Sequence, residues 1–239
     1  MRAGALMLER TKRQIEEYAK AQAPREACGL ILNYAGKELF QPCANVSELP
    51  ESFEIDPKEY AKWEDFADVM AIVHSHVDRS PRPSQADLVS CEFSGLPWHI
   101  VSVPDFQWHS FAPTGYEAPL IGREYSHGVL DCYTLVRDWF ALDGVKLPDF
   151  HREWEWWKKG SDLYMSNFSR LGFYPVDPPY QRGDVFLMNI RSEVVNHAGV
   201  HVGDGIMLHH AVGRLSCREV YGGFWEKNTR LVVRRRLKG

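Results

Sequence analysis

Val69-Met70-Ala71-Ile72-Val73-His74-Ser75-His76, followed after seven residues by Ser84-Gln85-Ala86-Asp87, is a change of period written into one stretch of chain. The apolar run Val69–Val73 reads as a buried strand, with His74-Ser75-His76 at its end. Residues two apart on a strand point to the same face, so His74 and His76 can offer two imidazoles to one ion. A loop with Pro81 and Pro83 follows, and a short helix opening at Ser84 places Asp87 on its first turn, aimed back at the strand end. Two histidines and a carboxylate leave a fourth tetrahedral position for water, which is the open pattern of a catalytic zinc rather than a closed structural one. Taken singly, the halves are ordinary: a polar strand face, and a Ser-x-x-Asp capping box. Their spacing favours a metal site.

Outward from that stretch, residues 8–21 read as a helix stopped by Pro24, and Cys28–Tyr34 as a strand before Gly36. Asp56-Pro57 opens a second helix, with Asp as N-cap and Pro at the first helical position, running to about Asp68. Strands are expected at 98–103 and 106–111. Hydrolysis needs a base, and Glu26, at the start of the first strand, could lie beside the histidine strand. On its own, such a glutamate would be a solvated side chain.

Glu26 with Cys28-Gly29-Leu30, then His-Ser-His, seven residues and Ser-x-x-Asp, resembles the JAMM (Mov34/MPN) metallopeptidases over roughly residues 5–113. That resemblance implies His74, His76 and Asp87 as ligands of one zinc, Glu26 as general acid/base, and Ser84 as a donor to the oxyanion. It also implies a mixed sheet with flanking helices. Val77 stands where many relatives carry proline, a difference of loop shape rather than of ligation.

Ala112-Pro113-Thr114-Gly115 and Pro119 read as a linker, dividing the chain into domains 1–113 and 119–239. Beyond it, helices are expected near 132–142 and 152–171, then strands at 184–190, 197–203, 206–211 and 230–236, with a hairpin turn at Gly203-Asp204-Gly205. Asp131 is a plausible N-cap, which puts Cys132 at a helix start, where the macrodipole is expected to stabilise a thiolate and depress its pKa. A nucleophilic thiol needs an imidazole nearby, and a strand over Asn196–Gly203 puts His197, Gly199 and His201 on one face. The hairpin would bring His209 near His197, where it could orient that ring. By itself, a cysteine before an apolar helix is usually core packing.

Asp131-Cys132 at a helix start, Arg182-Gly183-Asp184-Val185, and His197 in an Asn-His-Ala-Gly-Val strand together resemble the NlpC/P60 cysteine peptidases from about Leu120 to Leu237. The resemblance implies a papain-like domain of helices plus an antiparallel sheet. Cys132 is then the nucleophile, His197 the base and His209 the orienting residue, with His210 the rival for that last role. Tyr133-Thr134 replace the usual Ser-Gly after the cysteine, which bears on pocket shape and substrate preference. The fold class is therefore α/β (α+β), in two domains.

With 239 residues, 44% hydrophobic and 25% charged, the chain has the composition of a globular protein large enough for two small cores. The formal net charge of −4 argues against nucleic acid as a partner, and the basic run Arg234-Arg235-Arg236 with Lys238 reads as a solvated strand end. No run of about eighteen apolar residues occurs. The stretch from Met1 to Leu8 is too short for a signal h-region, so synthesis in a cytoplasm is expected. Five unevenly spaced cysteines fit reduced thiols. Trp154, Trp156 and Trp157 read as partly core, partly exposed, rather than as a sugar platform.

A JAMM module directly followed by an NlpC/P60 module resembles the tail assembly proteins of lambda-like phages. The resemblance implies a peptidase at the phage tail tip, made in the host cytoplasm and carried in the virion tail, with other tail-tip proteins as partners. Its expected substrates are peptidoglycan stem peptides for the thiol site and a peptide or isopeptide bond for the zinc site. The alternative is an assembly or maturation factor that processes a tail protein or acts mainly as a scaffold.

Overall fold

Strand β3 (Asp68–Val77) is longer than the apolar run implied, because its ladder continues through both histidines. The computed structural model describes residues 7–236, which part into two compact units between Glu117 and Ala118. Most of the stretch read against a signal segment, and Lys238 of the basic run, lie outside the described residues.

In the first unit, α1 (Glu9–Gln22), β1 (Cys28–Tyr34), β2 (Lys37–Cys43) and α2 (Pro57–Phe66) precede β3, and α3 (Gln85–Ser94), β4 (Trp98–Val103) and β5 (Trp108–Phe111) follow it. The sheet order is β2-β1-β3-β4-β5, with β3 and β4 parallel and every other pair antiparallel. This is a mixed sheet, and β3 sits at its centre. Ile15 and Ala19 of α1 pack on Ile31, Val73 and Val101 across one face. Leu30, Ile72, Cys91 and Trp98 fill the other, with Tyr60 and Trp63 of α2 against them. Strand β2 went unread in the sequence, because its burial is patchy and Pro42 lies within it. Gly29 is needed where it stands, since a Cβ there would sit 2.5 Å from the Gln41 carbonyl oxygen.

In the second unit, α4 (Cys132–Ala141) packs on an antiparallel sheet. Its strands are β6 (Phe173–Pro175), β7 (Val185–Met188), β8 (His197–Gly203), β9 (Ile206–His209), β10 (Cys217–Val220) and β11 (Thr229–Arg235), in the order β10-β9-β8-β7-β11-β6. Leu135, Val136 and Trp139 of α4 meet Val185, Leu187, Ala198 and Val200 of the sheet in one core. The helix expected over 152–171 is not continuous. It breaks into a 3-10 turn at Trp156–Lys158, α5 (Leu163–Asn167) and irregular chain. Glu155 and Gly160 take positive φ, and Asp162 starts α5 afresh by accepting the Met165 N–H. A last short helix, α6 (Phe224–Lys227), precedes β11.

Candidate functional site

The metal-type ligands lie at the end of β3 and the start of α3. Asp87 reaches them because Ser84 is the N-cap of α3 in a reciprocal capping box: Ser84 N–H donates to Asp87 Oδ2 at 2.7 Å and Asp87 N–H to Ser84 Oγ at 3.1 Å. The Ser84 hydroxyl also donates to Asp87 Oδ2, at 2.8 Å. His74 Nε2 and His76 Nε2 are 3.2 Å apart, and they lie 3.4 and 3.5 Å from the two Asp87 oxygens. Phe53 stacks on the His74 ring at 4.4 Å and Trp98 meets it edge-on, so the ring is walled on its apolar side. Burial pushes the Asp87 carboxyl up, but the His74 charge and hydrogen bonds from His74, His76 and the Ser84 N–H outweigh it and hold the group below the usual carboxylate range.

These residues fit a zinc ion. His76 Nδ1 lies 2.7 Å from the Ser80 carbonyl, which can only accept, so the proton sits on Nδ1 and the Nε2 lone pair faces Asp87 and His74. Ligand separations of 3.2–3.5 Å match the edge of about 3.3 Å for a tetrahedron with bonds of roughly 2.0–2.1 Å. His74 Nδ1 is buried without a partner.

Glu26 lies two residues before Cys28, which pairs with His74, and Ser75 continues that register by bonding Ala27 on both its N–H and its Oγ. Glu26 thus comes level with His76 at the sheet end, 3% exposed. Its carboxylate is held by the half-exposed Arg79, a contact the sequence reading missed. Arg79 follows His76 by three residues in a loop that carries no periodic signal.

In the second unit, Asp131 caps α4 by accepting the Thr134 N–H at 2.9 Å, which places Cys132 at the first helical position. The expected depression of the Cys132 pKa does not follow. Burial pushes the thiol up to about 11, with the Asp131 charge adding to it, and the backbone at Ala198 and the Tyr164 hydroxyl offset this only in part. The N-terminal field is present, but the cap that completes it is itself an anion next to the sulfur. Cys132 Sγ meets Tyr164 Oη at 3.1 Å, and among the described residues no hydrogen bond joins it to an imidazole. Helix α4 nevertheless lies against β8 at Ala198, the residue after His197.

His197 Nε2 is 3.1 Å from His209 Nδ1, across the β8–β9 pair. Gly199 makes that approach possible, since a Cβ there would meet Met207 Sδ at 2.5 Å and the His209 Cβ at 3.1 Å. His210, the rival, instead sits edge-on to Tyr125, and neither of its ring nitrogens has a well-formed hydrogen bond. Burial pushes His197 down to about 3 and His210 down to about 4, and it lowers His209 as well. Burial thus favours the neutral form of all three rings. Two further residues escaped the sequence reading: Tyr164 at the thiol, and Glu219 of β10, which receives His209.

Two sheets and two clusters of this kind define a protein built from two hydrolase-type domains. Residues 8–113 match the family described as prokaryotic homologs of the JAB domain, and residues 122–234 match the NlpC/P60 family. The chain belongs to the tail tip assembly protein K family. It is 38% identical over 232 residues to the tail tip assembly protein K of Escherichia phage N15, covering 95% of each chain. To the protein of the same name from Escherichia phage lambda it is 40% identical over 183 residues, 76% of this chain and 89% of that one. Among solved structures, a JAB1/MPN domain protein from Archaeoglobus fulgidus aligns at 25% identity with a TM-score of 0.30, covering 46% of this chain and 90% of that chain. No helix among the described residues is long and apolar enough to cross a membrane.

Proposed function

We propose that this protein is a two-site peptidase of the phage tail tip, with a zinc-dependent domain over residues 1–113 and a cysteine peptidase domain over residues 119–239. The reading is supported above all by two separate convergences in one chain: His74, His76 and Asp87 around a common centre, and His197 joined to His209 beside the helix headed by Cys132. His74, His76 and Asp87 would hold one zinc. The ion, when held there, supplies Lewis acidity that makes hydroxide available near neutral pH. Glu26, released from Arg79, would take a proton from the attacking water onto its carboxylate and return it to the amine as the C–N bond breaks. Ser84, turned from Asp87, donates to the oxyanion.

At the second site the sulfur leaves Tyr164 and gives its proton to His197. It attacks the scissile carbonyl and forms a thioester as the C–N bond breaks, and the amine departs with the proton from His197. Water then releases the acid and restores the thiol. His209 orients His197 throughout. We assign the bond cut at this site to peptidoglycan stem peptides, the substrate class that the resemblance to NlpC/P60 peptidases implies. The protein would be made in the host cytoplasm, work among other tail-tip proteins, and travel in the tail.

The name carried by the relatives favours a second reading, in which the chain processes a tail protein during assembly or serves mainly as a scaffold. Incubating the purified protein with peptidoglycan and, separately, with tail-tip proteins distinguishes them. Stem-peptide release lost in Cys132→Ala supports the first. Cutting of a tail protein, blocked by a chelator or by Glu26→Gln, supports the second. If neither substrate is cut, and phage carrying Cys132→Ala or His74→Ala still infect, only the scaffold remains.

A further inference from the structure

Glu219 lies where its chemistry bears on the imidazole pair. Its Oε2 is 3.4 Å from His209 Nε2 and accepts the Trp225 indole N–H at 2.8 Å, while its Oε1 accepts from Arg214 at 2.7 Å. Every polar neighbour of this carboxylate is a donor, and although burial pushes its pKa up, the hydrogen bonds from Trp225 and Arg214 and the Arg214 charge outweigh that and hold it below the usual glutamate range. An ionised carboxylate only accepts. A proton on the His209 nitrogen that faces it is the arrangement this acceptor favours, and a neutral ring then has a bare lone pair on Nδ1. That lone pair meets His197 Nε2 at 3.1 Å, so His197 carries its proton on Nε2 and keeps Nδ1 free.

We propose that Glu219 is a positioning residue: it fixes the tautomers of His209 and, through it, of His197, so that the base of the thiol site is His197 Nδ1. The proposal rests on the reading of Cys132, His197 and His209 as a catalytic set and adds a fourth member to it. The groups facing His209 are His197 from β8, Cys217 and Glu219 from β10, Arg214 from the preceding loop, and the Trp225 ring from α6 at 4.4 Å. Cys217 Sγ is 3.8 Å from the same Nε2 and also 3.8 Å from Glu219 Oε1, where its proton can go, which leaves the sulfur as an acceptor toward Nε2. His209, Cys217 and Glu219 also converge closely enough to hold a cation. Arg214 and Trp225 already occupy the Glu219 oxygens, however, which favours the acceptor role.

Long-range proton–nitrogen NMR of the full chain reads the ring protonation directly and needs no substrate. Spectra of the wild type, Glu219→Gln and Glu219→Asp at neutral pH give the comparison. The wild type is expected to show His209 and His197 each as a single tautomer with the proton on Nε2. Glu219→Gln, whose amide both donates and accepts, is expected to lose that single pattern, and Glu219→Asp to restore it. A wild-type His209 protonated on Nδ1, or a Glu219→Gln spectrum unchanged from the wild type, overturns the proposal. The wild-type measurement stands even if the glutamine variant fails to fold. Parallel hydrolysis assays separate the two levels. Tautomers that follow Glu219 while Cys132→Ala leaves hydrolysis intact uphold the role of Glu219 in fixing the rings and sink the catalytic reading. Hydrolysis lost in Cys132→Ala with tautomers indifferent to Glu219 does the reverse.

Discussion

His76 is anchored by Ser80 through the backbone: its Nδ1 lies 2.7 Å from the Ser80 carbonyl oxygen, four residues along the same loop. A partner of this kind fixes ring orientation and leaves Nε2 as the ligand atom.

Metal content follows from that anchor. The chain is expected to hold one zinc, measured by elemental analysis of protein purified without chelator. His76→Ala should lose it and Cys132→Ala should keep it. Ser80→Ala should also keep it, because the carbonyl and not the side chain does the holding. At a free zinc concentration a hundredfold above Kd, the first unit should gain about 2.7 kcal/mol of stability. Zinc retained in His76→Ala would contradict the ligand set.

The strand-to-helix junction at this site is legible in sequence because each of its signals is local: two-residue spacing on β3, and a cap motif whose fourth residue is Asp87. The same holds for Asp131 before Cys132 and for the turn between β8 and β9. Partners supplied from afar leave no such trace. Arg79 on Glu26 and Tyr164 on Cys132 join residues 53 and 32 positions apart through tertiary packing alone, and Glu219 meets His209 only once β10 pairs with β9, a strand the sequence pattern does not announce. The thiol's raised pKa escaped for a related reason. Helix position is written in the sequence, but enclosure beside an anionic cap is a property of the packed core. The broken 152–171 segment departs from local pattern at Glu155 and Gly160, which take positive φ, while Arg152 ahead of them pairs with Asp131.

Thiol labelling should report the resting state. With Cys132 enclosed and its pKa pushed up to about 11, iodoacetamide at neutral pH should modify the half-buried Cys217 ahead of it. Labelling of Cys132 should rise with pH toward that value. Peptide mapping by mass spectrometry follows both sites in one sample. Rapid, pH-independent labelling of Cys132 near neutrality would mean that the thiolate is preformed.

The buried pair of Arg152 and Asp131 should be costly to break from one side. Arg152 Nε lies 2.9 Å from Asp131 Oδ2, both side chains are about 3% exposed, and the guanidinium also donates to the Asp149 carboxylate and to the Phe150 and Gly128 carbonyls. Arg152→Met leaves Asp131 charged and uncompensated, at a cost of about 3–5 kcal/mol. Chemical denaturation of the second unit measures it. The double variant Arg152→Met with Asp131→Asn should recover part of the loss, because the stranded charge is gone while the cap remains. No recovery would place the cost in the lost packing of the arginine stem.

Acid should destabilise the second unit through His210. Unfolded, the ring takes up a proton around its ordinary value of 6.5. Folded, burial and then the Arg123 charge hold it down to about 4, although the Asp131 charge and the Arg214 and Arg123 backbones pull the other way. Between those values the unfolded chain binds more protons than the folded one, so stability falls as pH drops through 6.5 and levels off below about 4. The interval corresponds to about 3 kcal/mol. His197, pushed down to about 3, acts in the same direction and leaves a residual slope. His210→Phe keeps a ring against Tyr125 and removes the titrating nitrogens, neither of which has a well-formed bond to lose. Melts of the full chain at neutral pH and near pH 4.5 should therefore converge in that variant relative to the wild type. An undiminished gap would mean that the folded ring takes up its proton as readily as the unfolded one.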